Sequence, residues 1–373
     1  MKIGILGGGQ LAKMMIQSAI KYDFKFVIFS LEKFSPSREI ATQIVGDWNN
    51  KSHLKIFAKM CDIITLENEF IDYRLIHYLE KQGKKCYPRS RTVRMIQDKL
   101  IQKQTLKKLR IPVADFVEIN SLEDIYLAAR KFRYPFILKS RTMGYDGKGN
   151  IKINSADEIK RAYNKLIKRG KLFAEKNINF KKEIAVQAVR NLSGEIKIYP
   201  IVDTIQKDHI CHIVMAEKKL NKVLTDTVKK LATKILKQLN YVGVIGIEMF
   251  LVRGNKVLIN ELAPRVHNSG HYTIEGCKCS QFENHIRAIV NLPLGSTEMI
   301  NGAAVMINIL GERNAPSHLR GIGRLLNYKN AYLHIYGKQE THKGRKMGHI
   351  TVLGDKLGQT KKLAGKYRKL IKI

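Results

Sequence analysis

The stretch Gly243–His271, GVIGIEMFLVRGNKVLINELAPRVHNSGH, decides the fold. Val244–Val252 and Lys256–Leu262 are apolar runs of strand length, and Gly254-Asn255 between them is a two-residue hairpin signal. Folding the chain at that turn predicts Arg253 opposite Lys256 and, counting outward, Glu248 opposite Glu261. Two carboxylates facing each other across a sheet repel unless positive charge lies between them. A hard divalent cation such as Mg2+, holding nucleotide phosphates, supplies that charge. Two solvated glutamates on an exposed hairpin are the alternative, and the apolar flanks speak against it.

Downstream, Asn260-Glu261-Leu262-Ala263-Pro264-Arg265-Val266-His267-Asn268-Ser269-Gly270-His271 sets Arg, His, Asn and His behind a metal-type carboxylate on an irregular loop. Such groups can hold a small anion and stabilise charge that develops during group transfer, although an exposed polar loop would look similar. Upstream, a strand delivers Lys139 into Ser140-Arg141-Thr142-Met143-Gly144-Tyr145-Asp146-Gly147-Lys148-Gly149. Lysine acts as a point charge for phosphates and glycines allow close backbone approach. No Gly-Lys-Ser/Thr opens a helix there, so it is not a Walker A loop; a hairpin with a basic loop is the plain alternative.

At the N-terminus, Gly7-Gly8-Gly9-Gln10-Leu11-Ala12 matches G-x-G-x-x-A between a strand and a helix. Its amides and the helix dipole would attract a phosphate, and a phosphate-bearing substrate beside the turn is the preferred expectation. Glu32, placed after the second strand as a ribose ligand would be, keeps a nicotinamide oxidoreductase in view.

The chain has 373 residues, enough for two or three domains, and 44% hydrophobic residues, as in soluble proteins. No apolar run reaches the ~18 residues of a membrane span, and MKIGILGGGQ does not have the form of a signal peptide. Five cysteines (Cys61, Cys86, Cys211, Cys277, Cys279) lack zinc spacing and point to a reducing, cytoplasmic location. The net charge of +35 suits either nucleic acid or anionic small substrates. Lysines are spread over every segment, and no helix-turn-helix, zinc-finger or aromatic RNA-reading pattern occurs. Specific nucleic-acid binding is therefore not expected.

Strands at Lys2–Leu6, Lys25–Ser30 and Asp62–Leu66 alternate with helices such as Gln10–Lys21, which predicts a doubly wound parallel sheet. A charged helix over Ser90–Leu109 ends at Ile111-Pro112. Beyond it come strands at Tyr134–Ser140 and Asn150–Ile153, a helix over Ser155–Arg169, a hairpin of Glu183–Val189 with Ile196–Ile201, and a helix over Asn221–Leu239. Ala303–Leu310, Tyr332–Tyr336 and Gly348–Leu353 suggest a small β-rich third unit. The expected class is thus mixed, α/β followed by α+β.

GILGGGQLAKMM, GYDGKG, GVIGIEMF, INELAPRVHNSGH and GRKMGH, in that order, resemble the ATP-grasp superfamily and, within it, the 5-(carboxyamino)imidazole ribonucleotide synthase family. The resemblance implies an ATP-grasp fold: a Rossmann-like pre-ATP-grasp domain (1–97), a lid (98–174), a catalytic domain (175–296) and a small C-terminal β unit (297–373). It also implies ATP and Mg2+ as cofactors, a homodimer, and aminoimidazole ribonucleotide and bicarbonate as substrates, joined through carboxyphosphate. Under the resemblance, Lys99, Lys139 and the loop Gly144, Tyr145, Asp146, Gly147, Lys148 and Gly149 match nucleotide ligands. Glu175, Lys176, Asn177 and Ile178 match the adenine border, Glu183 the ribose ligand, and Glu248 and Glu261, with Asn260 beside them, the metal ligands. Arg265, His267 and Asn268 match the bicarbonate pocket, and Tyr145, Asp146 and Lys148 the catalytic loop that closes over it. Gln10, Glu67, Arg345 and Lys346 match ribonucleotide ligands. The chain departs from the family pattern at Gln206, Met143, Leu66 and Phe70, and Gln206 is given no contact. The formate-using glycinamide ribonucleotide transformylase is a neighbouring possibility that need not keep RVHNSGH.

Overall fold

The computed structural model describes residues 1–144, 149–208 and 210–373. Tyr145, Asp146, Gly147 and Lys148, expected as nucleotide and catalytic residues, lie outside them.

The N-terminal segment forms a five-stranded parallel sheet in the spatial order Thr42–Val45, Lys25–Ser30, Lys2–Leu6, Ile63–Leu66, Lys85–Cys86. The chain reverses direction of winding beside Lys2–Leu6, the kind of switch point where doubly wound sheets open a crevice. Gly7 occupies this crevice at φ +105°, and a Cβ there would lie 2.5 Å from Cγ of Glu67. The Gly9 N–H donates to Glu67 Oε1 at 3.1 Å. An internal carboxylate thus takes the anion position at the start of the Gln10–Ala19 helix, where a substrate phosphate was expected.

A four-stranded antiparallel sheet, ordered Phe116–Ile119, Leu172–Lys176, Phe136–Ser140, Asn150–Ile153, packs its apolar face on helices Leu122–Phe132 and Glu158–Ile167. The largest sheet has nine strands and is antiparallel. Val257–Ala263, Gly243–Leu251 and Lys182–Arg190 lead it. The C-terminal strands Ala303–Leu310, Lys346–Gly354 and Ala331–Ile335 continue the same sheet through Ile210–Glu217, rather than standing apart. Among the described residues no helix is long and apolar enough to cross a membrane, and all five cysteines are buried.

Two sequence expectations are corrected. The helix expected over Ser90–Leu109 is two helices, Ser90–Gln97 and Lys99–Lys108. Asp98 leaves helical conformation between them and its carboxylate accepts from the N–H groups of Leu100 and Ile101. An aspartate satisfying two orphan donors starts a new helix more readily than it continues an old one. The same carboxylate takes both sides of the Arg141 guanidinium, with contacts of 3.0 and 2.6 Å to Oδ2, which ties the second helix to the lid sheet.

The hairpin is also different. Its loop has three residues, Arg253–Asn255, because the Val252 N–H bonds to Lys256 O and Leu251 faces Val257. That loop alone would shift every pair outward by one. A β-bulge then follows: Met249 faces Ile259 while Glu248 faces Glu261, which leaves Asn260 as the extra residue. The two offsets cancel, and the facing glutamates come out where a two-residue turn would have put them.

Asp98→Ala should remove both the helix cap and the arginine pair, lowering unfolding stability in urea by about 2 kcal/mol. Asp98→Asn, which keeps a capping oxygen, should lose clearly less.

Candidate functional site

The bulge positions the site. Along a regular strand neighbouring side chains point to opposite faces, but an extra residue re-aims one of them. Asn260 and Glu261 accordingly line the same cavity of about 310 Å³, with Glu248 across from them. Gln10, Lys99, Gly144, Glu183, Arg265, His267, Asn268 and Lys346 complete its expected lining. Gln206, Glu69 and His271, to which no role was given, line it too.

Electrostatics at the centre are set by the carboxylate pair. Burial and the facing charges of Glu261 and Glu183 push the Glu248 carboxyl up to about 7. Lys99 Nζ lies 3.0 Å from Glu261 Oε2. Burial works against the Lys99 charge, but Glu261, Glu69 and Glu248 together outweigh it and raise its pKa. Among the described residues no group of three or more His, Cys, Asp or Glu side chains could hold a metal by itself. Two carboxylates with an adjacent amide oxygen instead suit Mg2+, which takes one or two protein carboxylates and fills its remaining positions with water and phosphate oxygens.

The loop beyond the strand forms the second half of the cavity. Gly246 lets it approach: a Cβ there would sit 2.7 Å from Cβ of His267. Arg265 is clamped by Glu69 at 2.6 Å and also donates to Val266 O at 2.9 Å. His267 Nε2 is 3.5 Å from Glu248 Oε1. Burial, then Arg265 and Lys346, hold the His267 pKa well below the usual range, so its ring is neutral. Asn268 and Asn308 exchange amide hydrogen bonds of 3.0 and 2.7 Å, which fixes the start of the turn.

Other expected residues sit elsewhere. Glu175 is 3% exposed and paired with Lys139 at 2.5 Å and with buried Lys103. Burial opposes its charge, but the two lysines hold it ionised, down to about 2. Its side chain and that of Lys139 are thus engaged with each other rather than turned to a ligand; the strand end at Lys176 and residues 177–178 remain beside them. Gly149 closes the strand pair behind the loop through its carbonyl, which accepts from the Ser140 N–H at 2.8 Å. Glu67 lies under the glycine turn, and burial raises its pKa.

Arg345 lines a neighbouring cavity of about 230 Å³ with Glu32, Lys33 and Lys338. Lys338 Nζ donates to Lys346 O at 2.8 Å, and burial together with Arg345 pushes its pKa down to about 8. Lys338, Arg345 and Lys346 therefore fall within one short stretch, the first two on the smaller cavity and the third on the main one.

The sequence pattern missed Lys103, Glu69 and Lys338. Lys103 sits four positions after Lys99 on one helix face, a spacing that could have been used. Glu69 and Lys338 carry no local signal, since their partners are 196 residues away and across a loop, respectively.

A five-stranded parallel sheet, a four-stranded antiparallel sheet and a large antiparallel sheet that holds paired acids beside a buried lysine define an ATP-grasp protein. Residues 104–282 match the ATP-grasp domain, residues 1–97 the ribonucleotide synthetase preATP-grasp domain, and residues 304–363 the phosphoribosylaminoimidazole carboxylase C-terminal domain. N5-carboxyaminoimidazole ribonucleotide synthase of Bacillus subtilis is 36% identical over 94% of this chain and 91% of its own length. Phosphoribosylaminoimidazole carboxylase of Candida glabrata is 38% identical over 94% of this chain, and the chain spans only 63% of that protein's length. The crystal structure of N5-carboxyaminoimidazole synthase from Aspergillus clavatus with ADP and 5-aminoimidazole ribonucleotide superposes with a TM-score of 0.89 at 33% identity, covering 99% of this chain and 98% of that one. The chain belongs to the N5-carboxyaminoimidazole ribonucleotide synthase family.

Glu248→Gln tests the electrostatics without any ligand. With a folded pKa raised to about 7 against 4.5 unfolded, Glu248 keeps its proton longer in the folded state. Its contribution to stability therefore declines as pH rises from about 4.5 to about 7 and stays low above that. The glutamine variant should melt higher than wild type at pH 8 and match it near pH 5. A lower melting temperature at pH 8 would contradict the repulsion.

Proposed function

We propose that the protein is an ATP-dependent carbon–nitrogen ligase that carboxylates 5-aminoimidazole ribonucleotide with bicarbonate. The products would be N5-carboxyaminoimidazole ribonucleotide, ADP and phosphate, a step of purine biosynthesis. The observation that carries this reading is one cavity with two chemistries: paired acids and Lys99 at one side, Arg265, His267 and Asn268 at the other.

Lys99 and Lys139 would steady the nucleotide phosphates, and Glu183 the ribose. Both lysines are held by carboxylates, so phosphate binding would exchange one anionic partner for another instead of ordering a free side chain. Glu248, Glu261 and Asn260 would hold Mg2+, whose charge would offset that of the phosphate oxygens during transfer. Arg265, already aimed by Glu69, would orient bicarbonate so that one of its oxygens takes the γ-phosphoryl group. Carboxyphosphate would form as ADP leaves, and it would break down to phosphate and carbon dioxide. The exocyclic amine then adds to the carbon and loses a proton. Asn268, locked by Asn308, and the neutral N–H of His267 would hold the departing phosphate. Lys338 with Arg345 and Lys346 would take the ribonucleotide phosphate, and Gln10 its ribose end. Glu67, bound to the Gly9 N–H, would shape that end of the site from beneath.

The five buried thiols support a cytoplasmic location, and a homodimer is expected from the family resemblance; a solution mass near twice that of the chain would bear it out.

Full-rate ADP release should require both 5-aminoimidazole ribonucleotide and bicarbonate. ADP formation driven by formate and glycinamide ribonucleotide would move the reading to the neighbouring enzyme. Glu261→Gln should lower kcat by about a hundredfold or more, with little rescue by excess Mg2+. Arg345→Ala should raise KM for the ribonucleotide by about tenfold with kcat nearly kept, because its contact exists before the reaction. An unchanged KM would take Arg345 out of the substrate site.

A further inference from the structure

We infer that Ser269 and Gln187 are positioning residues that decide which nitrogen of the His267 ring carries the proton, so that a neutral N–H at Nε2 faces the bound anion. The inference deepens the carboxylating function proposed above and rests on it.

His267 Nδ1 is approached from two sides. The backbone N–H of Ser269 points at it from 3.4 Å, and Ser269 Oγ lies 2.8 Å away. A backbone N–H can only donate, so Nδ1 must accept. The hydroxyl agrees with this assignment. Gln187 Nε2 donates to Ser269 Oγ at 2.8 Å, which leaves the hydroxyl proton free to go to Nδ1. With Nδ1 accepting, the ring proton of a neutral imidazole has one place left, Nε2, which is the nitrogen beside Glu248 and the cavity.

The surroundings leave little freedom to reverse this. Gln187 and Ser269 are 0% and 1% exposed, so neither can exchange its partner for bulk water. Gln281 holds the His267 backbone at both ends, accepting its N–H at 2.9 Å and donating to its carbonyl at 2.7 Å. Ring, hydroxyl and amide therefore stand in one fixed line from the Lys182–Arg190 strand to the cavity.

Chemically, an N–H donor and a base are opposite tools. An imidazole with a bare Nε2 would compete with the phosphoryl group for the bicarbonate proton, or take the proton of the attacking amine. One with Nε2–H gives a hydrogen bond to an anion oxygen throughout and accepts nothing. The site already supplies positive charge through Arg265, so a neutral donor adds direction without further like-charge repulsion. His267 is thus assigned as a hydrogen-bond donor to the carboxyl or phosphoryl oxygen, and the base for the amine must be another group.

The test uses the wild-type protein labelled with 15N-histidine, with His267 assigned by the signals lost in His267→Gln. The expected spectrum shows Nδ1 as an unprotonated, pyridine-type nitrogen and Nε2 as a protonated, pyrrole-type one. A protonated Nδ1 would overturn the inference without recourse to any variant. Ser269→Ala keeps only the long backbone contact of 3.4 Å and loses the hydroxyl bond of 2.8 Å, so it should give a mixture of the two tautomers and a kcat lower by about tenfold, with ADP affinity unchanged. Ser269→Thr, which keeps the hydroxyl, should restore both. A single tautomer and wild-type kcat in Ser269→Ala would also overturn it. Absence of carboxylation by the wild-type protein would count against the proposed function alone, since the nitrogen signals of the ligand-free protein do not depend on it.

Discussion

Glu248 and Glu261 are forced to face each other by backbone hydrogen bonding, and their mutual repulsion is the constraint around which the site is organised. Neither can move away without breaking the register of two long strands most of whose other residues are buried. The strain is relieved locally in two ways: Glu248 resists ionisation, and Lys99 leans onto Glu261. Both are compromises. A carboxylate whose pKa is raised towards neutrality and a lysine held in place of a cation are poised to be displaced by something more strongly charged.

The same device recurs outward from the pair. Glu69 aims Arg265, two lysines converge on Glu175, and Asp98 joins the lid sheet to the helix that carries Lys99. Each of these links joins segments far apart in sequence. Buried ion pairs of this kind add little net stability compared with apolar packing, but losing one partner strands the other charge. They are better understood as fixing geometry between segments distant in sequence.

Much of the fold was legible in the sequence because its elements announce themselves locally. Alternating strands and helices gave the parallel sheet, and two apolar runs around Gly254-Asn255 gave the central hairpin. The facing of Glu248 and Glu261 was anticipated for an incomplete reason, since a longer loop and a bulge compensate one another and neither has a distinct signature. The break at Asp98 was missed because helical periodicity runs through it, although an aspartate followed by a lysine-rich helix is a reasonable cap. Least visible were the residues that act through others. Ser269 lies inside a quoted motif, yet its bond to His267 depends on a turn, and Gln187 enters from a strand 82 residues away. The glycine turn looked like a phosphate site because nothing near it in sequence shows that Glu67 occupies it, 58 residues further on.

The contrast between the whole protein and its cavity completes the physical picture. The chain carries a net charge of +35, which draws small anions towards it. Beyond about 10 Å that field is largely screened at ordinary ionic strength, so it assists encounter more than it strengthens the bound state. Inside the main cavity the balance reverses: four carboxylates, Glu69, Glu183, Glu248 and Glu261, stand against Lys99, Arg265 and Lys346, and the histidines there are neutral. A polyanion attracted by the surface would meet a slightly negative lining there. A divalent ion between the two facing glutamates reverses that sign at one step, and under the proposed function this is why metal and nucleotide should enter together. Under that function basicity would serve capture, and the acidic pair would make capture conditional on the metal.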